Sequence, residues 1–172
     1  MPTEPDAAAA AQSSYQVRLH VGMPAAALEQ LVAVAECVVL VDALPDDTES
    51  GPLPSERMLR AGFTNRSATA HAVLDAQARK GDRLPVDIVT PAAPDGRFAV
   101  EDFLAAGAVV DALAELGLDF SSPEAASACA AFTGLRGALA HLVSASPAGR
   151  AWTASGRTTA LRAATRLDPT AP

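Results

Sequence analysis

The sequence is poor in basic charge, in aromatic side chains and in long apolar runs. It has 13 basic residues against 20 acidic ones, which gives a net charge of -7, and only 4% of its residues are aromatic. Because nucleic-acid-binding surfaces are basic and often carry stacking aromatics, these numbers argue against nucleic acid as a partner. The longest apolar runs, such as residues 37–41, are far shorter than the roughly 18 residues that cross a bilayer. We therefore expect a soluble protein that does not bind membranes.

Residues that build easily recognised catalytic or metal sites are also few. The three histidines are far apart along the chain, and the sequence contains no GxSxG, GxGxxG or P-loop motif. This argues against a zinc site, a serine-hydrolase elbow and the common nucleotide-binding loops. The two cysteines, Cys37 and Cys129, have no metal-binding or redox spacing. We expect both thiols to be buried and the protein to be cytoplasmic, in a reducing compartment.

The length of 172 residues fits one domain better than two. Residues 1–14 contain acids and no leucine-rich run, which predicts a disordered leader rather than a signal peptide. Residues 15–168 are predicted to form a single α/β domain, with a shortened N-terminal lobe at 15–64 and a C-terminal lobe at 65–168. The last four residues, 169–172, are predicted to be a tail.

The N-terminal lobe contains two strand patterns and one helix pattern. Polar and apolar residues alternate over 15–21, as in an edge strand, and residues 25–35 place apolar side chains at helical spacing. The run CVVLVD, residues 37–42, is typical of a strand buried on both faces of a parallel sheet. Ligands bind beyond the carboxyl ends of such strands, which makes Asp42 a candidate site acid. A role as a turn former or helix cap explains its position equally well.

The rest of the chain is predicted to be mainly helical. Prolines and glycines without a regular period predict a long loop or poorly ordered link over 43–64. Periodicity and capping residues predict one strand, at 84–89, and helices at about 65–80, 100–116, 121–132 and 148–166. Strands and helices that alternate first, followed by helices alone, indicate an α/β fold. We expect a three-layer sandwich with a mostly parallel sheet and a helix-rich C-terminal part.

One group of charged residues is suited to an anion and a hard cation. Arg97 lies on a glycine-containing turn just before Glu101 and Asp102, which fall in the first turn of a predicted helix. An arginine beside a helix N-terminus forms an anion site, and carboxylates bind Mg²⁺. The alternative is structural, because acids at a helix N-terminus interact favourably with the helix dipole.

The order of motifs along the chain resembles that of the 2-phosphosulfolactate phosphatase family. The segments that carry the resemblance run nearly from end to end: QSSYQVRLHVG, VVLVDAL, NRSATAHAVLDAQ, DGRFAVEDFLAAGAVVDAL, SSPEAASACAAF, SPAGRAWTASG and LDPTAP. The most specific of them is residues 95–113, with a glycine-arginine turn, a Glu-Asp pair and an apolar helical face. The resemblance implies a Mg²⁺-dependent phosphomonoesterase that converts 2-phospho-3-sulfolactate to 3-sulfolactate and phosphate.

The resemblance also implies roles for individual residues. Asp42 would bind Mg²⁺ or attack phosphorus, and Glu101 and Asp102 would complete or orient the metal shell. Arg97 and Arg66 would hold phosphate or sulfonate oxygens.

One further substrate contact is implied, at the start of the predicted helix at 65–80. There Asn65 would orient the substrate through its amide. The structural alternatives are that Asp42 closes a turn, Arg97 pairs with Asp95 or Glu101, and Asn65 caps the helix.

The sequence departs from the family in three places. Pro45, Asp46 and Asp47 replace much of a hydroxyl-rich stretch after the first buried strand, residues 48–64 are all that spans a longer family segment, and Arg157 stands near the position of a usual acid. These departures favour the alternative of a catalytically weakened relative that acts as a binding or interaction protein. Loss of strands would also expose a sheet edge or an apolar face, so we expect a homodimer.

Overall fold

The fold is seen in a computed structural model that describes residues 11–45, 53 and 55–168. The strands described are β1 (Val17–Met23), β2 (Val38–Val41), β3 (Met58–Ala61) and β4 (Val86–Pro91). They form one parallel sheet in the order β1-β4-β2-β3, so β4 from the predicted C-terminal lobe lies between β1 and β2 from the N-terminal lobe. The predicted edge strand β1 does lie at an edge of this sheet, and the predicted parallel strand β2 lies inside it.

Helices follow or connect these strands and dominate the second half of the described chain. Their bounds are α1 (Ala25–Val34), α2 (Arg66–Lys80), α3 (Val100–Glu115), α4 (Pro123–Leu135), α5 (Leu139–Ala145), α6 (Pro147–Ala154) and α7 (Thr158–Ala164), with a 3₁₀ turn at Arg136–Ala138 between α4 and α5. Local signals explain several of these ends. Gly81 ends α2 with a φ of 73°, and the Ser122 hydroxyl accepts a hydrogen bond from the N–H of Ala125 at the start of α4.

The two faces of the sheet are covered unequally. On one face, Val38, Met58 and Val89 form a small apolar cluster together with side chains of α1, none of which is fully buried. On the other face the main core contains residues from α2 to α7, and α3 contributes most of its length to it. The result is the predicted α/β sandwich, with one helix on one side and the remaining helices on the other.

Three sequence predictions need correction. Residues 58–61 were predicted to be part of a loop, but they form β3, which pairs with β2 from Val38↔Met58 to Val41↔Ala61. The helix predicted over 148–166 is divided into α6 and α7 at Gly156, which has a φ of 82°.

The third correction concerns the predicted leader. Gln12 is buried, and its side-chain amide both donates to and accepts from the main chain of Leu19, each at 3.0 Å. The fold therefore begins at least three residues before residue 15. The rest of the predicted leader, residues 1–10, and the predicted tail, residues 169–172, lie outside the described residues.

The segment Pro123–Ala145 passes a length and composition test for a membrane-spanning helix, with a mean hydropathy of 1.2. In the fold this segment is divided by the 3₁₀ turn between α4 and α5, and Ala128, Phe132 and Val143 pack in the main core. Only 22% of the most apolar stretch of this segment is buried in the fold, and a single helix of this kind is weak evidence for a membrane span.

Candidate functional site

Two neighbouring clefts lie beyond the carboxyl ends of β2, β3 and β4, and Asp42 and Trp152 line both of them. We call the first, of about 240 Å³, the acidic cleft. Its polar lining residues are Asp42, Arg97, Glu101, Asp102, Trp152 and Arg157. We call the second, of about 370 Å³, the apolar cleft. Its lining includes Leu40, Asp42, Arg60, Ala61, Phe63, Asn65, Trp152 and Ala164.

Asp42 directly follows β2 and faces both clefts. Because β2 is an interior strand of a parallel sheet, the residue after it lies where ligands collect in such folds. Its Oδ1 also accepts a hydrogen bond of 3.1 Å from the N–H of Leu44. The turn-forming role is therefore present in the structure, beside a position suited to a site acid.

Glu101 and Asp102 lie in the first turn of α3 and are both buried. Oδ1 of Asp102 accepts a hydrogen bond of 2.8 Å from the main-chain N–H of Ala43, which joins the start of α3 to the end of β2. Oε2 of Glu101 is buried and has no hydrogen-bond partner among the described residues. A buried carboxylate oxygen without a donor is costly, and a cation or a ligand proton would satisfy it.

Asp42, Glu101 and Asp102 were predicted to share a metal shell, and they line the same cleft. Within the described part of the chain, however, no three acidic, histidine or cysteine side chains are close enough to hold a metal ion together. Magnesium in phosphate sites commonly uses only one or two carboxylates, with water and substrate oxygens completing its coordination. The donors fit that type of site and do not form a cage built from protein alone.

Arg97 lies at the rim of the acidic cleft, on the loop between β4 and α3. It is exposed, and its guanidinium pairs with the carboxylate of Asp95 at 2.8 Å. Pairing with Asp95 was the structural alternative for this residue. An exposed pair of this kind is weak, so an incoming phosphate can compete for the guanidinium.

The structure adds Trp152 and Arg157 to the predicted site. The Arg157 guanidinium lies 4.1 Å from the centroid of the Trp152 ring, and both side chains line the acidic cleft. Gly156 breaks the helix between them, and the N–H of Arg157 then donates to the carbonyl of Trp152 at 2.8 Å. The signal in the sequence was the Ser-Gly-Arg break after the single tryptophan, which was interpreted as part of one continuous helix.

Asn65 lines the apolar cleft and does not line the acidic cleft. Its Oδ1 accepts from the N–H of Gly62 and its Nδ2 donates to the carbonyl of Arg60, both at 2.9 Å. It makes no side-chain cap to α2. Asn65 therefore fixes the turn between β3 and α2. It shares the apolar cleft with Asp42, whereas Glu101 and Asp102 line only the acidic cleft.

Arg66 is not a lining residue of either cleft, in contrast to its predicted substrate-binding role. Its side chain is 0% exposed and pairs with Asp111 at 2.8 Å and with Asp168 at 3.3 Å. It also lies over the ring of Phe132. A guanidinium enclosed by two carboxylates and the core stabilises the fold, and the predicted contact of Arg66 with substrate oxygens stays a prediction.

A parallel sheet with a polar cleft beyond its carboxyl ends defines an α/β protein that binds its ligand at the strand ends. The family model for 2-phosphosulpholactate phosphatase matches residues 52–171, which is more than half of the chain. The chain belongs to this family. The match supports a phosphatase of the 2-phosphosulpholactate type and implies a small-molecule phosphate ester as substrate. No curated protein gives a significant match.

The family model matches only part of the candidate site. Arg97, Glu101, Asp102, Trp152 and Arg157 lie inside it, whereas β1, α1, β2 and Asp42 precede it. The resemblance judged from the motifs ran nearly from end to end. The family model supports only the larger, C-terminal part of that resemblance. The assignment of Asp42 to the site is therefore supported only by its position after β2.

Proposed function

We propose that this protein is a Mg²⁺-dependent phosphomonoesterase that converts 2-phospho-3-sulfolactate to 3-sulfolactate and inorganic phosphate. The observation that carries the proposal is the buried, unpartnered Oε2 of Glu101 in a cleft shared with Asp42, Asp102 and Arg97. Carboxylates and arginines are the groups that hold a metal ion and phosphoryl oxygens.

Mg²⁺ bound by Glu101 with Asp42 or Asp102 would neutralise charge on the phosphoryl oxygens. The residues themselves do the positioning. Arg97 binds a non-bridging phosphate or sulfonate oxygen, and the burial of Glu101 keeps its carboxylate fixed in the cleft wall. In the overall reaction the P–O bond to the alcohol breaks, water supplies the new oxygen of phosphate, and the alcohol leaves with a proton.

Asp42 has the central role in this proposal, as the metal ligand or as the group that attacks phosphorus. Its support is its place directly after β2 and on the wall of both clefts. Both roles require an ionised carboxylate, so both predict that Asp42→Asn abolishes turnover.

The test is phosphate release from 2-phosphosulfolactate and a panel of phosphomonoesters, with and without Mg²⁺, by the wild type and by Asp42→Asn and Glu101→Gln. Asp75→Asn, on the exposed surface of α2, is the matched control for loss of one negative charge. We expect Mg²⁺-dependent turnover that falls at least 100-fold in the two cleft variants and stays within twofold in the control. Full turnover by Asp42→Asn would refute its assignment.

One observation favours a second candidate function, a catalytically weakened relative that binds a phosphorylated ligand without turning it over. Within the described residues the three cleft acids do not form a group able to hold a metal without help from a ligand. Calorimetry separates the two functions. A folded protein that binds 2-phosphosulfolactate but releases no phosphate with Mg²⁺ would establish the second.

We also propose a cytoplasmic homodimer. The support for self-association is exposed apolar surface, since Val34 on α1 is 78% exposed and Val21 on β1 is 42% exposed. Two free cysteines are in keeping with a reducing compartment. Sedimentation at micromolar concentration tests the dimer, and a monomer there would overturn it.

A further inference from the structure

The apolar cleft has no part in the chemistry described so far. Its volume of about 370 Å³ lies within the roughly 300 to 1,000 Å³ of small-molecule sites, whereas the 240 Å³ acidic cleft lies below that range. A substrate as compact as 2-phosphosulfolactate would occupy the acidic cleft, and the apolar cleft would remain filled with water.

The walls of the apolar cleft favour a different kind of chemical group from those of the acidic cleft. Leu40, Ala61, Ala164 and Trp152 present carbon atoms to it, and its lining also includes the polar residues Asp42, Arg60 and Thr64. The amide of Asn65 is already engaged by main-chain atoms of the turn that it closes. The carbon-rich part of these walls stabilises a ligand by removing apolar surface from water. Trp152 is 9% exposed and has the Arg157 guanidinium over its ring, so it contributes a limited aromatic surface to this cleft.

Asp42 and Trp152 fix the relation between the two clefts, because each of them lines both. A phosphoryl group held beside Glu101 and Arg97 therefore has its ester oxygen at the boundary of the apolar cleft when the alcohol points toward Trp152. Among the described residues, Asp42 and Trp152 are the two that the linings of both clefts share.

We propose that the apolar cleft binds the alcohol portion of larger substrates, and that this protein acts, in addition to 2-phosphosulfolactate, on phosphomonoesters whose alcohol is larger and less polar than sulfolactate, such as an aromatic alcohol. The inference rests on the proposed phosphatase function for the phosphoryl end alone. The reaction is unchanged: the P–O bond to the alcohol breaks, water supplies an oxygen to phosphate, and the alcohol leaves with a proton.

The chain contains a built-in reporter for this proposal, since Trp152 is its single tryptophan. Non-hydrolysable phosphonates allow binding to be measured without turnover. We expect benzylphosphonate to change the fluorescence of Trp152 and to bind at least tenfold more tightly than methylphosphonate, which can fill only the acidic cleft. Equal affinities, or no binding of benzylphosphonate, would overturn the proposal.

Ala164 offers a way to fill the apolar cleft from its wall, since it is half-buried near the end of α7. Ala164→Leu should reduce the preference for benzylphosphonate, and Ala164→Phe should reduce it further because the larger side chain fills more of the cleft. Binding of methylphosphonate should stay within twofold in both variants. Ala163→Phe is the matched control, because Ala163 is exposed on the same helix and lines neither cleft. An undiminished preference in both Ala164 variants would contradict the assignment of this cleft, and retained methylphosphonate binding shows that they are folded.

Turnover separates this inference from the proposed function. Hydrolysis of phenyl phosphate with a kcat/KM at least tenfold above that of 2-phosphosulfolactate supports both. Hydrolysis of 2-phosphosulfolactate alone leaves the phosphatase in place and refutes the larger alcohol. Preferential binding of benzylphosphonate without turnover of any ester supports the cleft assignment and refutes the phosphatase.

Discussion

Oδ1 of Asp102, in the first turn of α3, accepts a hydrogen bond of 2.8 Å from the main-chain N–H of Ala43, the second residue after β2. This bond joins the two segments that carry the acids of the cleft. Asp42 and Glu101 are the sequence neighbours of the two partners, so the bond sets the distance between them. Oδ1 of Asp102 therefore orders the loop after β2, in addition to the metal-binding role proposed for this carboxylate.

We predict that Asp102→Ala lowers the free energy of unfolding by about 1–3 kcal/mol, because the buried N–H of Ala43 loses its acceptor. Asp102→Asn keeps a carbonyl oxygen at the same place and should cost less than about 1 kcal/mol. Urea denaturation of both variants checks the difference, and phosphate release shows whether the charge matters in addition. Equal destabilisation by Asn and Ala would contradict the role of this hydrogen bond.

The elements that the sequence predicted well have strong local signals. The β-branched run of β2 predicts a buried strand, and Gly81 marks the end of α2. Strand β3 lacks such a signal, since Met58–Ala61 contains no β-branched residue and depends on its pairing with β2. Its strand conformation comes from tertiary context, which overrides local propensity.

The site was predictable where the topology alone brings residues together. Asp42 and the start of α3 meet because parallel strands end at one edge of the sheet. Arg66 could not be judged from its neighbours along the chain, because its burial depends on Asp111 and Asp168, which come from distant segments. Trp152 reaches the cleft through a helix break that periodicity does not reveal.

Packing between α3 and α4 depends on a glycine in the middle of α3. A Cβ atom on Gly107 would lie 2.1 Å from the carbonyl oxygen of Ala128 and 2.9 Å from Cβ of Phe132. We predict that Gly107→Ala forces the helices apart and lowers the free energy of unfolding by about 1–3 kcal/mol or more, despite the better helix propensity of alanine. Gly134→Ala in α4 is the control, since open space surrounds that Cβ. Thermal denaturation should show the control unchanged or slightly stabilised, and a neutral Gly107→Ala would show that the helices are not in close contact.

Asp168 stabilises the fold through the buried guanidinium of Arg66. Its carboxylate pairs with Arg66 at 3.3 Å and accepts a hydrogen bond of 2.7 Å from the N–H of Ser67 at the start of α2. We predict that Asp168→Ala costs about 3–5 kcal/mol, because it removes one partner of a buried ion pair. In an Arg66→Met background the same change should cost considerably less, since the two residues are coupled. Denaturant unfolding of the four proteins in this cycle gives the coupling energy directly.

Asp95→Asn is the matched control for this cycle. It removes a carboxylate that also pairs with an arginine, Arg97, at 2.8 Å, but both side chains are well exposed. An exposed pair of this kind is worth no more than about 1 kcal/mol. Equal costs for the Asp95 and Asp168 variants would show that burial of Arg66 adds nothing to the strength of its pairing.

The thiol of Cys37 gives stability a dependence on alkaline pH. Burial, and then the neighbouring charge of Asp87, raise the pKa of this thiol from its ordinary value of 9.0 to about 11. The unfolded chain loses this proton at a lower pH than the folded chain, so the stabilisation is complete below pH 9 and is lost as the pH rises toward 11. Between pH 8 and pH 10.5 we expect the free energy of unfolding of the wild type to fall by about 2 kcal/mol more than that of Cys37→Ala, by linkage. Urea denaturation under reducing conditions measures this difference.

Cys129→Ala is the control and should change the dependence of stability on pH less, because the Cys129 thiol is only half-buried. If Cys37→Ala and the wild type showed the same dependence on pH, the Cys37 thiolate would be tolerated in the core.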